Sequence, residues 1–272
     1  MEQRILFFDI DGTLLNNKAV VPESAVNALE QLKEKGHLRF VCTGRTRCMI
    51  PEVINELGFD GFVLGAGTEV EFQGKQLVYR ELSTELIKRT IPILRKYNCA
   101  YLFEGTDYVY YEKGAEQEER AYFSVFVKSL SSIAKVVEQY SEIHASKITL
   151  VPPEDLCGIK LEAFRQELAK DFNVIVHERV KKGILTDGLI ELVPLGFTKA
   201  TGIKSAIELL EIKREATIGV GDSNNDLEML GFVETAVVMG NGTKRAKDLA
   251  DVVTTSIDDD GIWNSMKTLQ LI

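Results

Sequence analysis

The chain has 272 residues, 45% of them hydrophobic and 27% charged, with a formal net charge of −9. That acid surplus argues against nucleic acid as a partner, because a phosphate backbone calls for excess Lys and Arg. No apolar run approaches the ~18 residues that cross a bilayer, and the short N-terminal run ends in acid, unlike a signal peptide. A cytoplasmic protein without membrane contact is expected.

Residues 4–10, RILFFDI, read as an apolar strand that drives into Asp9 and Asp11. Residues 22–35 have helical spacing (Val26, Leu29, Leu32), with Pro22 in the first turn and Gly36 at the stop. A strand follows at 38–42, a helix at 47–57 closed by Gly58, and a strand at 62–64. This cadence implies βαβ units and a parallel sheet. Residues 70–78 read as a hairpin around Gln73, Gly74 and Lys75.

From about 83 to 187 the pattern changes. Helices at 85–97 and 153–171 mix with strands at 108–111, 147–151 and 174–177, and 116–120 reads as an exposed helix face. The last third returns to alternation: strands at 189–193, 217–220, 236–239 and 252–254, helices at 199–210, 226–230 and 244–250, and a closing helix from Gly261. The fold class expected is α/β: a Rossmann-like doubly wound parallel sheet over residues 1–82 and 189–272, with an α+β domain inserted at 83–188. Cys42, Cys48, Cys99 and Cys157 are scattered and show no zinc spacing. Asp258, Asp259 and Asp260 read as a solvated turn and helix cap, and Trp263 as packing.

Chemistry concentrates where doubly wound sheets bind ligands, beyond the carboxyl ends of the strands. Strand one ends in Asp9-Ile10-Asp11-Gly12-Thr13, strand two in Thr43-Gly44-Arg45, and the strand at 217–220 in Gly221-Asp222-Ser223-Asn224-Asn225-Asp226. Lys199 opens a helix. Adjacent carboxylates at the rim of a core repel each other and resist desolvation. Asp9 and Asp222, brought together by the sheet, make a hard oxygen site of the kind Mg²⁺ prefers, and the cation lets them coexist. Thr43, Gly44 and Lys199 suit a phosphate. Asp9, expected to be ionised at neutral pH, can attack phosphorus, and Asp11 can protonate the leaving alcohol and then deprotonate water. Gly12 permits the turn between them. Arg45 either reaches substrate or supports its loop.

FFDIDGTLL, VCTGR, Lys199 and GDSNNDLEML, in that order and spacing, resemble the four motifs of the haloacid dehalogenase-like (HAD) phosphatases. The insertion between the second and third motifs resembles the cap of the Cof-type subgroup. The resemblance implies that Asp9 is nucleophile and metal ligand, that Asp11 is acid/base and binds metal through its main-chain carbonyl, and that Asp222 is the third protein ligand, with Ser223 nearby. It implies that Thr43, Gly44, Lys199, Asn225 and the backbone at Ile10 hold phosphate, and that Asp226 orients Lys199 or a metal-bound water. Gly65-Ala66-Gly67 departs from the family's frequent Asn-Gly-Ala.

The function expected is a Mg²⁺-dependent phosphatase of small phosphorylated metabolites, sugar phosphates first, with Lys147 and Tyr108 among the candidates that set specificity in the insert. Two alternatives stand beside it: a phosphomutase of the phosphomannomutase kind, and a catalytically silent metal-binding protein.

Overall fold

The apolar run at Ile5–Phe8 is buried at every position. A strand covered on both faces by helices needs that pattern. The computed structural model describes residues 2–114, 130–181 and 184–272. The helix face expected at 116–120 lies outside the described residues. In chain order the elements are β1 (Ile5–Phe8), α1 (Glu23–Glu34), β2 (Leu38–Cys42), α2 (Glu52–Asn55), β3 (Gly61–Leu64), β4 (Glu69–Phe72), β5 (Lys75–Tyr79), α3 (Thr84–Lys96), β6 (Ala100–Glu104), β7 (Val109–Glu112), β8 (Ala134–Val137), β9 (Lys147–Val151), α4 (Gly158–Leu168), β10 (Phe172–Lys181), β11 (Ile184–Pro194), α5 (Lys199–Leu209), β12 (Thr217–Gly221), α6 (Leu227–Phe232), β13 (Thr235–Val238), α7 (Lys244–Lys247), β14 (Val252–Val253) and α8 (Gly261–Thr268).

The chain divides into two units. The first comprises residues 1–45, 50–79 and 198–272, the second 46–49 and 80–197. The first unit carries a sheet in the order β14-β13-β12-β1-β2-β3-β4-β5. It is parallel from β14 to β3 and closes with the antiparallel pair β4 and β5. Alternation along β1 sends Leu6 and Phe8 into one core with Leu29 and Leu32 of α1 and Ile262 and Met266 of α8. Ile5 and Phe7 enter a second core, with Ile203 and Ala206 of α5 and Met229 of α6. The sheet is therefore covered on both faces, as the doubly wound expectation requires.

The second unit has a sheet in the order β10-β11-β9-β6-β7-β8, with α3 and α4 on one face packing Ile91, Leu94, Phe164 and Leu168 onto Phe103, Ile148 and Leu150. On the other face Lys147, only 1% exposed, pairs with Glu191 and with Glu104 at 3.6 Å. The Thr149 and Thr46 hydroxyls complete the shell of Glu104. Lys147 is thus an interior counter-ion; Tyr108 stacks under the Lys135 ammonium, 3.7 Å from the ring centroid.

Three expectations need correction. The strand at 189–193 is not part of the core sheet. It belongs to β11, which pairs with β10 and β9 and so joins the second unit, whose boundary falls at 197 rather than 188. Local pattern cannot tell which sheet a strand enters. The helix expected at 47–57 is a short tight turn at Arg47–Met49 and then α2, because Pro51, which has no N–H to give, interrupts it. The helix expected from 153 starts at Gly158, after the Pro152-Pro153 pair.

Gly67 and Gly202 bring α5 against the turn after β3. A Cβ on Gly67 would lie 2.1 Å from the Thr198 carbonyl oxygen, and one on Gly202 would lie 2.7 Å from the Gly67 Cα. Gly67→Ala is expected to cost about 2–4 kcal/mol of stability, from overpacking added to its left-handed φ of +93°. Gly74→Ala, at φ +74° with nothing within 4 Å, should cost only about 1 kcal/mol. Denaturant midpoints of the two variants measure the difference, and equal losses would rule out the packing argument.

Candidate active site

β1 sits between β12 and β2, with Phe8 in register with Val220 and Val41. The loops after these strands therefore start side by side. The Asp9 amide donates to the Val220 carbonyl at 2.9 Å, which fastens the first acid to the end of the neighbouring strand. Two residues beyond Val220 comes Asp222. Gly12, at φ +88°, lets the first loop turn back, and a Cβ there would stand 2.4 Å from Asp222 Oδ2. The Thr13 hydroxyl donates to Asp222 Oδ1 at 3.2 Å.

Lys199 is the first residue of α5, whose N-terminus is capped by Thr198 accepting from the Thr201 amide. Its stem is buried and its ammonium reaches Asp9 Oδ1 at 2.5 Å and Asp226 Oδ1 at 2.6 Å. Asp226 uses its other oxygen to accept from the amides of Asp222 at 3.0 Å and Ser223 at 2.9 Å. The Ser223 hydroxyl donates to Asn225 Oδ1 at 2.5 Å. Thr43 is buried directly after β2, and its hydroxyl accepts from the Arg45 amide at 3.2 Å. In the Gly65-Ala66-Gly67 turn, the Gly65 amide donates to the Arg45 carbonyl at 2.8 Å and the Ala66 amide to that of Thr43 at 3.0 Å. Backbone bonds from Gly65 and Ala66 thus support the Thr43–Arg45 loop where the family's Asn is missing.

One carboxylate oxygen each from Asp9, Asp222 and Asp226 lies within 4.8 Å of the others. Three carboxylates face one ammonium, so fully ionised the cluster would carry two uncompensated negative charges. Burial, and then the Asp226 carboxylate, push Asp9 up to about 8, with Lys199 opposing. The same two causes push Asp222 up to about 7, against the Thr13 hydrogen bond. Burial alone would lower Lys199, but Asp226 and Asp9 outweigh it and hold the ammonium above its ordinary range. Burial and repulsion thus raise Asp9 above an ordinary carboxylate, and the ionised Asp9 expected from sequence calls for the compensating charge of a cation. Hard oxygen donors that are two charges short are the donor set a divalent cation fits.

The sequence expectation gave Asp11 an acid/base side chain and a metal contact through its main-chain carbonyl only. The side chains that gather are those of Asp9, Asp222 and Asp226. The Asp11 carboxylate is 62% exposed and takes a two-pronged contact from Arg45, at 2.9 Å from Nε and 2.8 Å from the terminal nitrogen. Gly12 turns the chain immediately after Asp11, which leaves that side chain outside the trio. Arg45 accordingly supports the first loop. Thr13 was not singled out by sequence, although its place after Asp-Ile-Asp-Gly was a signal that it belongs to the same loop.

A model of the haloacid dehalogenase-like hydrolase family matches residues 6–266. Phosphatase YwpJ of Bacillus subtilis is 28% identical over 299 residues, covering 98% of this chain and 99% of its own. A solved structure from Geobacillus kaustophilus HTA426 superposes with a TM-score of 0.82 at 31% identity, covering all of both chains. The HAD subclass IIB sugar phosphatase BT4131 superposes with a TM-score of 0.79 at 24% identity, covering 99% of this chain and all of its own, which is a likeness of fold.

Between about pH 4 and pH 8 the folded, metal-free chain holds protons on Asp9 and Asp222 that the unfolded chain, with carboxyl groups near 3.8, has released. Their contribution to stability therefore falls as pH rises through that window. Unfolding in chelator at about pH 6 and about pH 8 should give the lower midpoint at the higher pH, and Asp222→Asn should shrink the gap. An unchanged gap in that variant would show that the site is not its origin.

Proposed function

Since the chain belongs to the haloacid dehalogenase-like hydrolases, and within them to the Cof-type phosphatases, we propose that it hydrolyses small phosphorylated metabolites, sugar phosphates first, with Mg²⁺ bound and a phosphoryl group carried on Asp9. The observation that supports this reading is the trio of carboxylates, buried Asp9 and Asp226 with half-buried Asp222, paired with a single lysine at the ends of adjacent parallel strands.

The residues would hold the cation through Asp9, Asp222 and the main-chain carbonyl of Asp11. When bound, Mg²⁺ supplies the positive charge that keeps Asp9 ionised and offsets the charge on the phosphoryl oxygens. Asp226 is the less suitable ligand, because one of its oxygens is taken by Lys199 and the other by two backbone amides. Its part is to hold Lys199 upright and the Asp222 loop closed. Lys199, Thr43, Gly44, Asn225 and the Ile10 backbone would receive the phosphate.

An Asp9 carboxylate oxygen attacks phosphorus and the bond to the ester oxygen breaks. Asp11, released from Arg45 and carrying a proton taken from solvent, gives that proton to the departing alkoxide. Water then attacks the aspartyl phosphate, Asp11 takes a proton from it, and inorganic phosphate and free Asp9 are regenerated. Lys199 stays charged throughout and meets the developing charge on the equatorial oxygens.

Asp9→Asn should abolish Mg²⁺-dependent release of phosphate from p-nitrophenyl phosphate, and retained turnover in a pure sample refutes the nucleophile. Asp11→Asn should lower kcat by roughly 10²–10⁴-fold, the range of general acid–base catalysis. With a hexose phosphate, free phosphate is the expected product; an isomeric phosphate formed only with a bisphosphate activator would identify a mutase instead.

A further inference from the structure

The loop between β13 and α7, residues 240–243, grips both acid-bearing loops. The Asn241 side-chain amide donates to the Gly12 carbonyl at 2.8 Å, and its oxygen accepts from the Ile257 amide at 2.9 Å. The Thr243 amide donates to the Asp222 carbonyl at 2.8 Å, and its hydroxyl donates to Asn224 Oδ1 at 3.1 Å. The loop is itself pinned: the Gly240 amide donates to Thr255 at 2.9 Å, and the Gly240 carbonyl accepts from Lys247 Nζ at 2.6 Å. A Cβ on Gly242 would stand 2.8 Å from the Asp222 carbonyl oxygen, so the contact is close enough to require glycine. A second tie lies further along the first loop, where the Asn16 amide donates to Asp258 at 2.9 Å. The aspartate run that reads as a solvated turn is thus fastened to the loop that carries Asp11.

An exposed asparagine ordinarily spends its amide on water. Asn241 instead bonds two backbone segments, one of them 229 residues away in sequence. What it holds needs holding. Gly12 has the backbone freedom of glycine, and the Thr13 amide reaches Ile10 only at 3.3 Å. The preceding peptide, with the Asp11 carbonyl, is held by its own Gly12 amide, which donates to Leu15 at 2.8 Å, whereas rotation of the Gly12–Thr13 peptide would carry Thr13 and its hydroxyl away from Asp222.

We propose that Asn241 is a positioning residue: by fixing the Gly12 carbonyl, and so the Gly12–Thr13 peptide, it keeps Thr13 on Asp222, so that the two acid loops hold the spacing of one divalent cation. The inference rests on the metal-dependent phosphatase reading above. It assigns Asn241 no contact with substrate.

Asn241→Asp keeps the acceptor for Ile257 but cannot donate to Gly12; Asn241→Ala removes both bonds. Mg²⁺ affinity of each is measured by calorimetry, kcat and KM for p-nitrophenyl phosphate across Mg²⁺ concentrations, and folding by thermal unfolding. Both variants should raise the Mg²⁺ Kd and the half-activating Mg²⁺ concentration by roughly tenfold or more, as loss of an outer support does at metal sites. KM at saturating Mg²⁺ should change by less than about threefold, since Thr43 and Lys199 sit on other elements. The added charge of aspartate attracts the cation, so its loss of affinity would run against that trend. Asn16→Ala should show the same effect, smaller. Folded variants with the wild-type Kd overturn the proposal, as does a rise in KM alone, which would place Asn241 at the substrate, or loss of fold in both variants, which would make it a stability residue. A wild type that binds no Mg²⁺ would instead overturn the reading of the site.

Discussion

Three carboxylates and one ammonium share a buried space in which the charges do not balance. Coulombic repulsion there is stronger than in water, because little solvent remains to screen it. Everything around the cluster either tolerates that imbalance or reduces it. Lys199 bridges Asp9 and Asp226, two amides saturate the far oxygen of Asp226, and the Thr13 hydroxyl takes one oxygen of Asp222. The upward push on Asp9 and Asp222, from burial and from Asp226, marks the charge still missing.

Such a cluster survives only if its parts cannot drift apart. The parallel pairing of β1 with β12 sets the first spacing, and the Asp9–Val220 hydrogen bond locks it at the strand ends. The third part arrives on a helix, and the helix reaches its place because Gly67 and Gly202 let two backbones meet. Glycines at 12, 67, 202 and 242 each sit where a methyl group would strike backbone or a site carboxylate. Together they make the centre dense enough to hold like charges in register.

The second unit buries charge under the opposite rule. Lys147 faces Glu191 and Glu104, His177 lies 3.2 Å from Glu191, and hydroxyls fill out the shell of Glu104. Lys147 stays above its ordinary range although burial opposes it, and Glu191 falls well below its own, because each stabilises the other's charge. A network satisfied from within rigidifies a sheet and asks for no cation. The contrast separates a structural ion cluster from a reactive one.

The βαβ cadence, the hairpin at Gln73-Gly74, the three polar strand ends and the lysine at a helix start were legible in the sequence, because periodicity and turn chemistry are local and Asp, Thr and Lys are conspicuous against apolar runs. Asp9, Asp222 and Lys199 were identified on that basis. What stayed hidden was relational. The sequence could not say that residues 189–193 pair with β9 and β10, that Asp226 joins Asp9 and Asp222 in one carboxylate cluster, that burial would raise Asp9, or that Asn241 reaches Gly12. Each of these depends on distances between segments far apart in the chain and on the water excluded when they pack. The sequence by itself determined which groups are present and which strand ends carry them, while the tertiary structure decided which of them meet and in what state of charge.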